Sequence, residues 1–248
     1  MIEFLKIYKI FGDQMSKERE KQILEILLKE KKTTVKQLAA ALFISEPSVR
    51  RDLSSLEGKN LIKRVHGGAI LEETALSKNK IPFLTREYEQ SSAKNVIARK
   101  ASELIKDNDV IFLDSSTSCY YLIPFLAGKK NLTVITNGVK TLTALAEYEI
   151  NAISTGGTLI SSCLALVGEN AYRTIERYNA DICFFSCRGV SDDGNLTDIA
   201  PEENYVRERM IKNSKRTFLL CAKKKFGKRY YHNLCSKDEL DGVITETD

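Results

Sequence analysis

The chain has 248 residues, 43% of them hydrophobic, with 38 Lys and Arg against 33 Asp and Glu; it can bury a small core and a larger one, and a soluble, cytoplasmic protein is expected. No apolar run approaches the ~20 residues that span a bilayer, and Lys6 and Lys9 interrupt the apolar start where a secretory leader would be continuous. Six scattered cysteines without CxxC spacing and two histidines, His66 and His232, give a metal site, a cofactor or a His-based relay no foundation. No metal, cofactor or catalytic residue is therefore expected, and the cysteines read as reduced and mostly buried.

Residues 1–14 stand apart as an N-terminal extension. Phe4, Ile7, Tyr8 and Phe11 form an apolar stripe at helical spacing, yet Met15-Ser16-Lys17 reads as a natural beginning. Either an upstream start codon with a frayed tail, or a helix that packs on the domain following it or on a partner, fits. Residues 15–71 carry the most legible pattern. Ile23, Leu24, Leu27 and Leu28 predict one helix; after a polar break at 31–34, Val35, Leu38, Ala39 and Leu42 predict a second, with Thr34 as its N-cap. A tight turn at Phe43-Ile44 leads to a third, capped by Ser45, whose first turn accepts Pro47 because its early N–H groups lack intrahelical partners. Two helices joined by about three residues have helix-turn-helix spacing.

On the third helix Val49, Leu53 and Leu56 share one face, while Pro47, Arg51, Ser54 and Ser55 lie opposite, with Ser48 and Arg50 on the flanks. Gly58 and Asn60 end it, and residues 61–65 and 69–71 are expected as wing strands turning at Gly67-Gly68. Ser45, Ser48, Arg50, Arg51 and Ser54 are thus candidates for the major groove of double-stranded operator DNA, where Arg reads guanine edges. Lys63, Arg64 and His66 on the wing are candidates for phosphate or minor-groove contacts. Charge agrees: residues 1–71 hold 14 Lys and Arg against nine Asp and Glu, whereas the other 177 residues hold 24 of each.

Residues 72–84, charged and carrying Pro82 without periodicity, read as a linker to a domain at 85–248. A long helix is expected from Thr85, with Val96, Ile97, Ala101, Leu104 and Ile105 on its apolar side. Short apolar runs at 110–113, 132–135, 152–154, 182–185, 217–221 and 243–245 then alternate with helical patterns near 118–126, 139–148, 166–178 and 203–214, predicting an α/β domain with a mostly parallel sheet. Ligands of such sheets lie beyond the carboxyl ends of the strands. Those ends read Asp114, Ser115, Ser116, Thr117, Ser118; then Thr136-Asn137; then Gly156-Gly157. Hydroxyls and free N–H groups at the first suit an anion, and Asp114 suits sugar hydroxyls instead. The glycines would let backbone approach a ligand. Lys225, from the basic run 223–229, is the candidate countercharge for a phosphate.

The residues also carry a family pattern. Arg50-Arg51-Asp52-Leu53, Leu56-Glu57, Leu61, Arg64 and the His66-Gly67-Gly68-Ala69 run strongly resemble the DeoR family of bacterial transcription regulators, and the likeness continues through LDSSTS at 113–118, VITNG at 134–138, TGGTL at 155–159, LVGENA at 166–171 and KFG at 225–227. The resemblance implies an N-terminal winged helix-turn-helix and a sensor domain similar to ribose-5-phosphate isomerase and CoA-transferase-like folds. It also implies a small anionic effector, commonly a phosphorylated sugar, and a repressor role in carbohydrate metabolism. Four positions depart from the family's usual pattern: Ser116 replaces a Gly, Ala222 an Asp, and Cys187-Arg188 small residues. One short recognition helix reads few base pairs, so a homo-oligomer, dimer or tetramer, is expected. The rival readings are a sugar-phosphate isomerase-like enzyme, and a DNA-binding protein whose C-terminal domain only oligomerises.

Overall fold

A computed structural model describes residues 19–58, 61–71 and 83–247. The apolar stripe of residues 1–14 and the linker segment 72–82 lie outside them. The chain divides into two compact units, one ending at Glu89 and the other starting at Gln90.

In the first unit α1 (19–30), α2 (Val35–Leu42) and α3 (Glu46–Gly58) enclose a core of Ile23, Leu24, Leu27, Leu38, Val49, Leu53 and Leu56, each at most 1% exposed. These are the residues that the helical spacing selects. Thr34 caps α2 as expected and completes a capping box with Gln37. Ser45 accepts from the backbone N–H of Ser48 at the start of α3. The wing is β2 (Ile62–Val65) paired antiparallel with β3 (Gly68–Leu71).

The segment 31–34 is more than the polar break expected from sequence. Lys32–Thr34 forms strand β1, which pairs antiparallel with β3 and makes the wing three-stranded. Three residues cannot display a period, so only the partner strand reveals this one. Gly68 follows from it: a Cβ there would lie 2.1 Å from the Thr33 carbonyl oxygen.

The single long helix expected from Thr85 is instead two, α4 (Phe83–Tyr88) and α5 (Ser91–Ser102), separated where Gln90 takes a left-handed φ of 57°. Ile97, Ala101 and Ile105 are buried as expected, but Val96 is exposed. The second unit is built on six parallel strands in the order β14-β12-β9-β4-β5-β6. In chain order these are β4 (Val110–Leu113), β5 (Thr133–Thr136), β6 (Asn151–Ser154), β9 (Ala180–Phe185), β12 (Ser214–Leu220) and β14 (Gly242–Ile244). Period-2 alternation sends Ile111, Leu113, Val134, Ile182 and Phe184 to one face, under α5, α6 (Thr117–Tyr120) and α7 (Val139–Glu147). Phe112, Ile135, Cys183, Phe185 and Leu219 go to the other, under α8 (Glu169–Ile175) and α9 (Pro201–Lys212).

Two small antiparallel sheets escape the sequence pattern. One is a hairpin of β7 (Thr158–Ile160) and β8 (Ala165–Val167), so the helical run expected from residue 166 begins as a strand. The other joins β10 (Gly189–Val190), β11 (Asn195–Asp198) and β13 (His232–Ser236). All six cysteines are free thiols, five of them buried.

Candidate functional site

The DNA-reading candidates lie on one exposed surface of the first unit. Arg50, Arg51, Ser54 and Ser55 are exposed on α3, while Val49, Asp52, Leu53 and Leu56 face inward. Arg50 pairs with Glu46 one turn earlier at 3.0 Å, an exposed pair worth only about 0.3–0.5 kcal/mol and easily exchanged for a phosphate. Arg51 rests on Ser48 through one long 3.4 Å bond, and Ser48 Oγ meets Ser45 Oγ at 3.0 Å. Arg64 crosses from the wing to Ser54 at 2.9 Å, and its backbone N–H donates to Glu57, so wing and recognition helix are tied together. Lys63 and His66 are exposed on the wing.

Sequence reasoning assigned Asp52 no structural role. It is 3% exposed and takes two bonds from Arg19, at 2.9 and 3.2 Å, which pins α3 to α1. The lock is carried by Asp52 in the Arg-Arg-Asp-Leu run, but its partner lies 33 residues away and only the fold brings it there.

In the second unit the strand-end loops converge, though not as an open turn. Asp114, Ser115, Ser116, Thr117 and Ser118 are all buried, none more than 5% exposed. Asp114 accepts from the backbone N–H groups of Ser116 and Ser186 and from Arg207 Nε at 2.8 Å. Its oxygens therefore face the interior. Ser116 caps α6 by accepting from Cys119 N–H, and Ser115 Oγ donates to Glu203 at 3.1 Å.

Arg207, 3% exposed, is the hub of this layer. It bonds Asp114 and Asp198 at 2.8 Å each and Asn204 at 2.9 Å, and lies 3.6 Å from Glu203. Burial alone would lower its pKa, but the three carboxylates hold it well above the ordinary guanidinium value. Burial likewise pushes Asp198 up, yet Arg207, the Ile199 N–H and Arg188 bring it below the usual carboxylate range. Glu203, Asn204 and Arg207 share one buried face of α9. Their three-to-four spacing was visible, but charged residues on a helix ordinarily read as a solvated face.

Thr136 Oγ1 accepts from Gly138 N–H, and Asn137 Nδ2 donates to the Leu166 carbonyl, which fixes the orientation of the amide. Asn137 Oδ1 is buried without a hydrogen-bond partner, and so is Thr141 Oγ1. Thr141 adjoins the first loop: a Cβ on Gly138 would lie 2.7 Å from its Oγ1 and 3.1 Å from Ser115 Cα, and Asn137 directly precedes that glycine in the chain. Lys225 Nζ donates to Ser186 Oγ at 2.9 Å and to the Cys187 carbonyl at 2.7 Å, so it is linked to Asp114 through Ser186. Gly156 and Gly157 both take positive φ, but the close approach at Gly157 is to this chain's own Val167 carbonyl, 2.4 Å from where a Cβ would stand. Of the third loop, it is Thr155 that meets the site, its N–H donating to the Thr136 carbonyl.

A winged DNA-reading unit joined to a doubly covered parallel sheet, with polar groups gathered at the strand ends, defines a two-domain regulator. Residues 19–75 match the DeoR-like helix-turn-helix domain and residues 89–247 the DeoR C-terminal sensor domain. The chain belongs to the DeoR family of helix-turn-helix transcription regulators. It is 32% identical to the uncharacterized regulator YulB of Bacillus subtilis over 93% of this chain and 88% of that one. It is 33% identical to GolR of Listeria innocua (92% and 90%) and 28% identical to the glycerol-3-phosphate regulon repressor of Escherichia coli (92% and 90%). In fold, the β2δ2 complex of eIF2B from C. thermophilum matches 71% of this chain and 61% of its own at a TM-score of 0.51 and 16% identity. Ribose 5-phosphate isomerase A of Methanocaldococcus jannaschii matches 54% and 53% at a TM-score of 0.41.

Proposed function

We propose that this transcription regulator binds operator DNA as a homo-oligomer, dimer or tetramer, and that a phosphorylated sugar or similar small anionic metabolite bound in the sensor unit changes that binding. The simplest form is a cytoplasmic repressor of carbohydrate-metabolism genes. Residues 15–71 read DNA, 72–84 link, and 85–248 sense and assemble. Ser45, Ser48, Arg50, Arg51 and Ser54 meet the major groove, while Lys63, Arg64 and His66 meet the backbone beside it. The glycerol-3-phosphate regulon repressor and the L-fucose operon activator among its relatives support a link to carbohydrate metabolism.

The observation that carries the effector site is the buried, partnerless Thr141 Oγ1 near Ser115, with a second such atom, Asn137 Oδ1, at the same strand end. An unmade buried hydrogen bond costs about 1–3 kcal/mol, which a ligand returns by supplying the partner. Asn137 Oδ1 can only accept, which suits a sugar hydroxyl; the Thr141 hydroxyl can donate to a phosphate oxygen. Ser115, Ser116, Thr117, Ser118 and Thr136 complete a hydroxyl-rich wall, and Lys225 is the nearby ammonium. Gly156 and Gly157 shape the third loop. Asp114, occupied by Arg207, acts by holding the loop.

Against an isomerase, each carboxylate next to the loop is engaged: Asp114 and Asp198 with Arg207, Glu203 with Ser115. Incubation with ribose 5-phosphate should yield no ketose. The decisive experiment is a thermal-shift screen of phosphorylated and unphosphorylated sugars, since a ligand of the native state raises stability by mass action. A phosphorylated metabolite should raise the melting temperature of the wild type and not of Thr141→Val or Asn137→Leu. The site assignment fails if both variants respond as the wild type does, and the sensing role fails if no such metabolite shifts the wild type.

A further inference from the structure

Phe43 is the most exposed large apolar residue described, at 94% of its full surface. It closes α2 in a left-handed conformation (φ 53°, ψ 41°), its N–H donating to the Ala39 carbonyl. That geometry favours Gly or Asn, and a bulky side chain there is an outlier. The free protein therefore carries backbone strain at this residue and gains no burial from its ring. Among the described residues neither cost is offset, so a partner is the natural place to look for the return.

The location says which partner. Phe43 stands two residues before Ser45, the residue that caps α3, on the turn that feeds the recognition helix. Ser45, Glu46, Pro47, Arg50 and Arg51 follow it, all exposed. The first 71 residues also hold the chain's whole excess of positive charge. A polyanion drawn to that surface meets the ring as α3 approaches. Duplex DNA offers an aromatic ring two apolar surfaces beside its phosphates: the thymine C5-methyl in the major groove and the carbons of deoxyribose.

We propose that Phe43 is a DNA contact, laying its ring on a thymine methyl or an adjoining deoxyribose when α3 enters the major groove. The proposal rests on the DNA-binding reading of this unit and adds to it an apolar contact beside the polar ones. It makes two effects of one substitution run in opposite directions. Phe43→Asn relieves the left-handed strain and removes exposed apolar surface, so the free protein gains stability. The same change removes the ring from the interface, so the complex loses affinity.

The test uses full-length protein and duplexes that the wild type enriches from a random 20-base-pair library. Phe43→Asn should melt above the wild type without DNA and bind the enriched duplex roughly tenfold more weakly, the range expected for losing one buried apolar side chain. Replacing thymines one at a time by deoxyuridine distinguishes the two surfaces. One position that weakens the wild type but not Phe43→Asn identifies the methyl, and no such position identifies the sugar. Equal affinity of the two proteins overturns the proposal, and if Phe43→Asn also changes the sedimenting mass, the ring belongs to an interface between copies. A lower melting temperature for Phe43→Asn overturns it too, because the ring would then be packed in the free protein. Failure of the wild type to enrich any duplex sinks the DNA reading itself, and this proposal with it.

Discussion

Replacing Arg207 by Met tests the buried hub directly. The substitution keeps a long flexible side chain and removes the cation that joins Asp114, Asp198 and Glu203. The guanidinium is 3% exposed and its two bonded carboxylates 1% and 7%, so water cannot take its place without opening the fold. Deleting one partner of a buried ion pair costs about 3–5 kcal/mol. At about 2–4 °C per kcal/mol for a domain of this size, the melting temperature should fall by roughly 6–20 °C. The loss should also depend on pH. In the wild type Asp198 titrates below its unfolded value, so its contribution is present above about pH 4 and is lost as pH falls through the folded pKa. In Arg207→Met, Asp198 keeps only the Ile199 N–H and Arg188 against burial, so its charged form is held less firmly and its protonation in mild acid costs the variant less than the wild type. The gap between wild type and variant should therefore be wider at pH 8 than at pH 5, read from thermal melts in matched buffers. A gap that is the same at both values, or a loss under about 1 kcal/mol, would refute the electrostatic account of the hub.

Other outcomes follow from the same contacts. Arg51→Ala should cost on the order of 1–3 kcal/mol on enriched DNA, whereas Lys63→Ala should weaken all sequences alike and lower the salt slope by about one, as measured by titration at several ionic strengths. Gly68→Ala drives a Cβ into the Thr33 carbonyl and should separate β1 from β3, seen as loss of amide protection at Thr33 and Ala69. Burial raises the thiols of Cys119 and Cys183 well above their ordinary value and Cys235 to about 12. These three should react slowly with a disulfide reagent at pH 8 until the protein is unfolded, and fast labelling of any of them in the native state would contradict their placement.

The first unit was legible in the sequence because its signals are local. Helical spacing, the Thr34 and Ser45 caps and the paired glycines each operate within a few residues, and the residues they select form the core observed, with Leu28, Ala39 and Leu42 only partly buried at its edge. The parallel strands were legible for a related reason: strands buried on both faces read as continuous apolar runs, and each expected run coincides with or overlaps a strand of the six-stranded sheet. Strand β1 was hidden because three polar residues become a strand only against β3. The break at Gln90 was hidden because no Gly or Pro marks it: a glutamine takes the left-handed conformation there.

The site divides in the same way. Sequence alone brought forward the hydroxyls at 115–118, Thr136, Asn137 and Lys225, since short polar turns after apolar runs mark strand ends. It could not reveal that Asp114 faces inward, that Gly157 makes room for Val167, or that Arg207, 93 residues beyond Asp114, holds the loop. Those facts depend on which strands become neighbours and which face of α9 is buried. A polar side chain acquires its role from the partner that folding places beside it, and that partner has no fixed distance along the chain.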